Sequence, residues 1–319
     1  MSFPYLQDMV KAATGFNVPL PLPTFGLCVL AAVAVSLQVA KIEMRRRHAA
    51  RQIPSAVRHT SQDGRRIEVT VAPQDLVVDF GFVTVIAGII GARIFSMFEV
   101  PQDFLADPWH MIFSRQGFNF FGGLVFGVTA GIVYFRRHRL PVLACCDAFA
   151  PAMMLGYALG RIGCELSGDG DWGIAANMAL KPHWLPAWAW AQTYDNNIVG
   201  VLIPPPGVYP TPLYEILMGL AVFGILWSLR KLPLRPGWLF SVYLLLCGLE
   251  RSLIELIRVN STMGFFGLQV TQAQIIAAAL TLLGALGIAV RSRPIRGAGP
   301  TRPPARSEEV PDTHTQPSD

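Results

Sequence analysis

Residues 160–173 read GRIGCELSGDGDWG and residues 247–260 read CGLERSLIELIRVN. Together they hold the side chains best suited to chemistry: Arg161, Asp169, Asp171, Arg251, Glu255 and Arg258. At helical spacing Arg251, Glu255 and Arg258 fall at i, i+4 and i+7 and share one face, while Glu250 points elsewhere. A single Arg–Glu pair satisfies itself. Two arginines around one glutamate leave a positive charge that seeks an anion, and the planar guanidinium fork suits phosphate oxygens better than an ammonium does. In the first stretch, Gly160, Gly163, Gly168, Gly170 and Gly173 surround Arg161 and the two aspartates. Glycine opens backbone conformations that let N–H groups approach an anion closely. The plainer alternatives are an internal ion pair, an arginine reaching out from a span end, and glycines that only pack helices. Three further charges sit in apolar surroundings: Asp147 in DAFAPAMMLGYAL, Glu215 in YPTPLYEILMG and Arg93 in GIIGARIF. Asp147 and Arg161 lie about 21 Å apart along an ideal helix and cannot pair with each other.

The elements that must position these groups are membrane-like. The chain has 319 residues, 52% hydrophobic and 15% charged, against roughly 25% charged in a soluble domain; its mean hydropathy is +0.41. Apolar blocks at 19–40, 76–98, 117–135, 141–162, 211–229, 237–257 and 268–290 each approach the roughly 20 residues that cross a bilayer. They predict an all-α, polytopic integral membrane protein with about seven transmembrane helices. Within a span, a charge costs about 2.5–3.5 kcal/mol on insertion scales and so marks a functional candidate.

The net charge of +5 raises a nucleic-acid reading, but the positions of the charges oppose it. Of 26 Lys and Arg residues, 19 fall at 41–66, 136–139, 230–235 and from 291 onward. These are alternate connections of a seven-span chain, so they share one side. The positive-inside rule makes that side cytoplasmic, with the N-terminus outside and the C-terminus in the cytoplasm. The expected division is an outer N-terminal segment (1–18), a membrane domain (19–290) and a disordered cytoplasmic tail (291–319). The membrane domain includes a basic cytoplasmic loop at 41–75 and an outer lobe at 165–210. The five cysteines show no CxxC and no ligand spacing with histidine, and none of the six histidines lies in a span. Neither a metal nor a soluble cofactor is expected.

In order along the chain, GARIF, FNFFGG, D…APAMMLGYALGRIG…G, PTPLYE and RSLIELIR resemble the sequence blocks of the prolipoprotein diacylglyceryl transferase family. The resemblance covers roughly 20–290. It implies a bacterial inner-membrane enzyme with seven spans that moves a diacylglyceryl group from phosphatidylglycerol to the lipobox cysteine thiol of a preprolipoprotein, releasing glycerol 1-phosphate. The implied partners are phosphatidylglycerol, preprolipoprotein signal peptides and the membrane itself. Matching positions are Arg93, Asp147, Gly160, Arg161, Gly163, Gly168, Gly173, Glu215, Arg251, Glu255 and Arg258. The resemblance implies a donor site of Arg161, Arg251, Arg258, Arg93, Gly168, Gly173, Glu215 and Asp147. Arg161, Arg251, Glu255, Asp169 and Asp171 would serve catalysis. The chain departs from the family pattern at several positions: Cys164 and Ser167 replace asparagines, Asp169 a glutamate, Phe121 and Tyr209 histidines, and Phe25 and Cys247 tyrosines. Those losses leave open a non-catalytic lipid-binding relative, and charged span residues leave open a transporter-like one.

Overall fold

The computed structural model describes residues 2–19, 21–62, 65–99, 107, 109, 119–260, 262–265 and 268–292. Nearly all of the expected disordered tail at 291–319 lies outside them. Among the described residues a short helix α1 (Leu6–Thr14) precedes seven longer ones: α2 (Thr24–Ala49), α3 (Val77–Glu99), α4 (Phe120–Arg137), α5 (Val142–Ser167), α6 (Thr211–Leu229), α7 (Trp238–Ile254) and α8 (Gln272–Arg291). Each of the seven overlaps one apolar block. Five are long and apolar enough to cross a membrane: α2, α3 with its preceding turn, α5, α6 and α8. Of the other two, α4 has 18 residues and ends in Arg136 and Arg137, and α7 has 17 and ends with Glu250 and Arg251 inside its last turn.

The fold is mostly helical, with two additions to the all-α expectation. Strands β1 (Ala56–Gln62) and β2 (Arg65–Val71) form an antiparallel hairpin in which Ala56 faces Val71. Strands β3 (Thr262–Phe265) and β4 (Leu268–Thr271) form a second hairpin that leads into α8. The basic segment expected as a loop from residue 41 is helical to Ala49. Glu43 accepts from Arg46 and Arg47 one turn later, which neutralises part of the basic run and lets the helix continue.

Helix α5 is the centre of the assembly. It packs against α2, α6 and α7, while α3 pairs with α4 and α7 with α8. In its most apolar window 56% of residues are buried, against 11–28% in the other four candidate spans. Small residues permit close packing elsewhere too: Gly248 and Gly284 sit where α7 and α8 touch largely backbone to backbone, with no room for a Cβ on either. At its lobe end α5 stops at Gly168, whose φ of 61° is left-handed and returns its N–H to Cys164 O. Residues 168–210 then fold as an irregular lobe with 3-10 turns at Met178–Leu180 and Ala187–Ala189. Glu165 holds the lobe to the helix, accepting from Gln192 Nε2 and Tyr194 OH at 2.7 Å each. Burial and this carboxylate push the Tyr194 phenol well above its usual range, so it remains a donor. The N-terminal segment docks on the same lobe through Ser2 N to Asp195 O and on the end of α5 through Phe3 N to Leu166 O.

Candidate active site

Four elements converge at the lobe end of α5. Helix α5 presents Tyr157 and Arg161 one turn apart; the Arg161 guanidinium lies 5.2 Å from the Tyr157 ring centroid. The second turn of α6 brings in Glu215, with no exposed side-chain surface. The last turn of α7 brings in Glu250 and Arg251. The loop after Gly168 brings in Asp171.

Glu215 is the hub. Its Oε2 lies 3.1 Å from Arg161 Nε, and its Oε1 lies 3.4 Å from Arg258 Nη1 and 3.7 Å from Arg251 Nη1. Asp171 bridges two of the same arginines, one carboxylate oxygen to Arg161 and the other to Arg258. Arg251 also donates to Glu255 Oε2 at 2.8 Å. Glu255 Oε1 accepts from Asn260 Nδ2 at 2.8 Å and from the Thr271 hydroxyl, so β4 helps fix its orientation. Three guanidiniums therefore meet three carboxylates in one partly dry cluster, with side-chain exposures of 13–24% for the arginines.

The route by which Arg258 arrives corrects the helical-face expectation. Helix α7 ends at Ile254, Glu255 is its C-cap, and Arg258 sits on extended backbone that bridges to Gly173. Arg251 pairs with Glu255 at i+4 as the spacing predicts, whereas Arg258 reaches Glu215 and Asp171 because the chain folds back over the lobe, rather than through i+7 spacing. Gly173 is needed for this approach: a Cβ there would lie 2.5 Å from Ile257 O.

Other expected residues fall as follows. Asp169 lies beside the cluster, its Oδ1 accepting from Asp171 N at 3.3 Å. Gly168 and Gly170, with φ of 61° and 99°, turn the backbone that carries Asp171. Cys164 is buried with Sγ 3.6 Å from Arg161 Nη1. Arg93 stands on α3, the helix paired with α4. Asp147 does not join the cluster. It lies near the opposite end of α5, where it accepts from Gly237 N and Phe240 N at 2.8 Å each, with Arg47 Nη1 at 3.6 Å. An acid with that much backbone to satisfy is a helix cap supplied by a neighbouring helix. Glu250, expected to point elsewhere, faces α5: Tyr157 OH lies 3.0 Å from Glu250 Oε1 and 3.0 Å from Glu215 Oε1. Tyr157 and Glu250 were missed in the sequence. The available signals were the Tyr157–Arg161 spacing and an acid next to Arg251.

A profile of the prolipoprotein diacylglyceryl transferases matches residues 13–290, which include every residue of this cluster. The chain belongs to the prolipoprotein diacylglyceryl transferase family. Among similar proteins, the phosphatidylglycerol–prolipoprotein diacylglyceryl transferase of Leptospira interrogans is 29% identical over 201 residues, covering 55% of this chain and 59% of that protein. The aligned part of this chain thus spans somewhat less than two thirds of that relative. The enzyme of the same name from Corynebacterium efficiens is 29% identical over 266 residues, covering 79% and 73%. The one from Bacillus cytotoxicus is 30% identical over 204 residues, covering 64% and 72%.

Proposed function

We propose that this chain is a multi-pass enzyme of the bacterial inner membrane. It transfers a diacylglyceryl group from phosphatidylglycerol to the lipobox cysteine thiol of preprolipoproteins and releases glycerol 1-phosphate. The observation that carries this reading is the Asp171 carboxylate held between Arg161 and Arg258 above a buried Glu215. Two guanidiniums already spaced to receive two oxygens of one anion suit a phosphodiester that displaces Asp171. As the glycerol C–O bond breaks, charge grows on phosphate oxygen. Donors already fixed by Glu215 and Glu255 stabilise that charge without having to reorganise. Gathering of the charges at one end of the helices, beside the lobe, fits chemistry on a headgroup at a membrane surface while the acyl chains stay in lipid. The attacking sulfur must be a thiolate.

The test is an assay of purified protein with phosphatidylglycerol vesicles and a lipobox peptide, read by mass spectrometry for the thioether product. A peptide unchanged under conditions where a related enzyme of this family modifies it would defeat the proposal.

A further inference from the structure

Tyr157 presents a bonding problem that only an additional proton solves. Its hydroxyl oxygen stands 3.0 Å from Glu215 Oε1 and 3.0 Å from Glu250 Oε1. A phenol has one proton and can donate to one carboxylate at a time; the other contact is a hydrogen bond only if that carboxyl group itself carries a proton. Charge balance points to the same acid. Asp171, Glu215 and Glu255 are matched by Arg161, Arg251 and Arg258. Among the described residues Glu250 forms no ion pair, although it is 6% exposed. A second ionised carboxylate against Tyr157 would be buried and uncompensated. The titratable and charged groups around Glu250 are Tyr157 and Arg161 on α5, Glu215 on α6, and Tyr243, Cys247 and Arg251 on α7.

We propose that Glu215, Tyr157 and Glu250 share one proton beyond the phenol's own and serve as the proton store of the active site. This rests on the transfer reading above. In the reaction, the glycerol C–O bond breaks and its electron pair stays on phosphate oxygen, while the C–S bond forms from the thiolate. The stored proton passes from Glu250 to the Tyr157 oxygen as the Tyr157 proton passes to Glu215, and Glu215 delivers it among the arginines to the new phosphate oxygen. The proton lost by the thiol refills the store, so each turnover balances. Glu215, at the cluster, is the member that meets the phosphate; Tyr157 and Glu250 act through it as positioning residues.

Infrared difference spectroscopy of the purified full-length protein in lipid tests the store directly. At neutral pH the wild type should show a protonated-carboxyl stretch that Glu250→Gln removes, and Tyr157→Phe should shift that stretch by deleting its hydrogen bond. Transfer by Glu250→Gln should fall about 100-fold, the scale of a lost proton-transfer group, and lose one limb of the wild-type pH profile. Glu250→Asp should restore part of both. Absence of any Glu250-dependent carboxyl stretch overturns the proposal, as does wild-type transfer by Glu250→Gln across the pH range. If the wild type makes no thioether, the transfer reading fails, and the spectrum still decides whether the proton is shared.

Discussion

Asp171 and Arg251 divide the labour of the cluster differently from a reading of the sequence. As an acid just beyond the end of α5, Asp171 looks like a group free to handle protons. In the folded chain both its oxygens are taken by arginines, and its backbone carbonyl accepts from Thr211. On the proposed function it is an internal anion that the donor phosphate would replace. Asp171→Asn should therefore tighten phosphatidylglycerol binding by about tenfold, equivalent to ~1.4 kcal/mol, measured by titration into protein in nanodiscs. Weaker binding would show that Asp171 assembles the site instead of competing for it. Arg251 has the opposite role: it contacts Glu215 and is oriented by Glu255. Arg251→Ala should lower transfer about 100- to 1,000-fold, as loss of one fixed oxyanion donor does, while membrane insertion persists. Arg251→Lys should recover little, because an ammonium cannot span both carboxylates as the fork does. A rate near wild type in Arg251→Ala would remove this arginine from the phosphate. The arginines were legible as a group because charge in apolar sequence is costly wherever it occurs. Glu250 was not, because its role depends on Tyr157, 93 residues away, reaching it across a helix contact.

The helices were legible as elements, and their terminations less so. Apolar blocks of span length have few alternatives in lipid, where each backbone group must bond within its own segment. What a terminus bonds to is a tertiary matter. The start of α7 has Gly237 as N-cap, with no side-chain oxygen of its own, and the missing acceptor comes from Asp147 on α5. Asp147→Ala should cost about 1–2 kcal/mol of stability, the upper range for a lost cap, seen as a lower unfolding midpoint in detergent with donor affinity retained. A loss of phosphatidylglycerol affinity as large as that of Arg161→Ala would return Asp147 to the binding site. The Gly173–Arg258 bridge is likewise invisible to periodicity, since neither residue lies in a regular element. Gly173→Ala would push Ile257 away and carry Arg258 off its two carboxylates. Transfer should drop about 100-fold, as for a 1 Å misplacement of a positioning group. Full activity in Gly173→Ala would show that the arginine tolerates displacement.

At the scale of the whole molecule, contacts between distant connections sort the chain into two ends. On one, Val57 N bonds to His138 O, Arg139 pairs with Glu68 at 2.9 Å, Arg46 donates to Arg230 O at 2.9 Å, and Arg291 donates to Pro236 O at 2.6 Å. These join the α2–α3, α4–α5 and α6–α7 connections and the end of α8, the four regions that hold 19 of the 26 basic residues. On the other end lie the arginine cluster, the 168–210 lobe and the N-terminal segment bonded to it. This sorting arises from packing, whereas the charge bias arises from sequence, and the two coincide. We therefore expect the basic end in the cytoplasm and the active site on the outer side. Exposed Trp184, Trp188 and Leu202 on the lobe would then lie at headgroup level. Enzyme-reporter fusions after Ser55, Arg137 and Pro233 should report cytoplasm, and an insertion at Leu202 should report the outer side. A cytoplasmic signal from Leu202 would invert the whole arrangement. It would put Arg161 and Arg251 on the side away from secreted preprolipoproteins, and the proposed thiol acceptor would have to be abandoned even if donor binding remained.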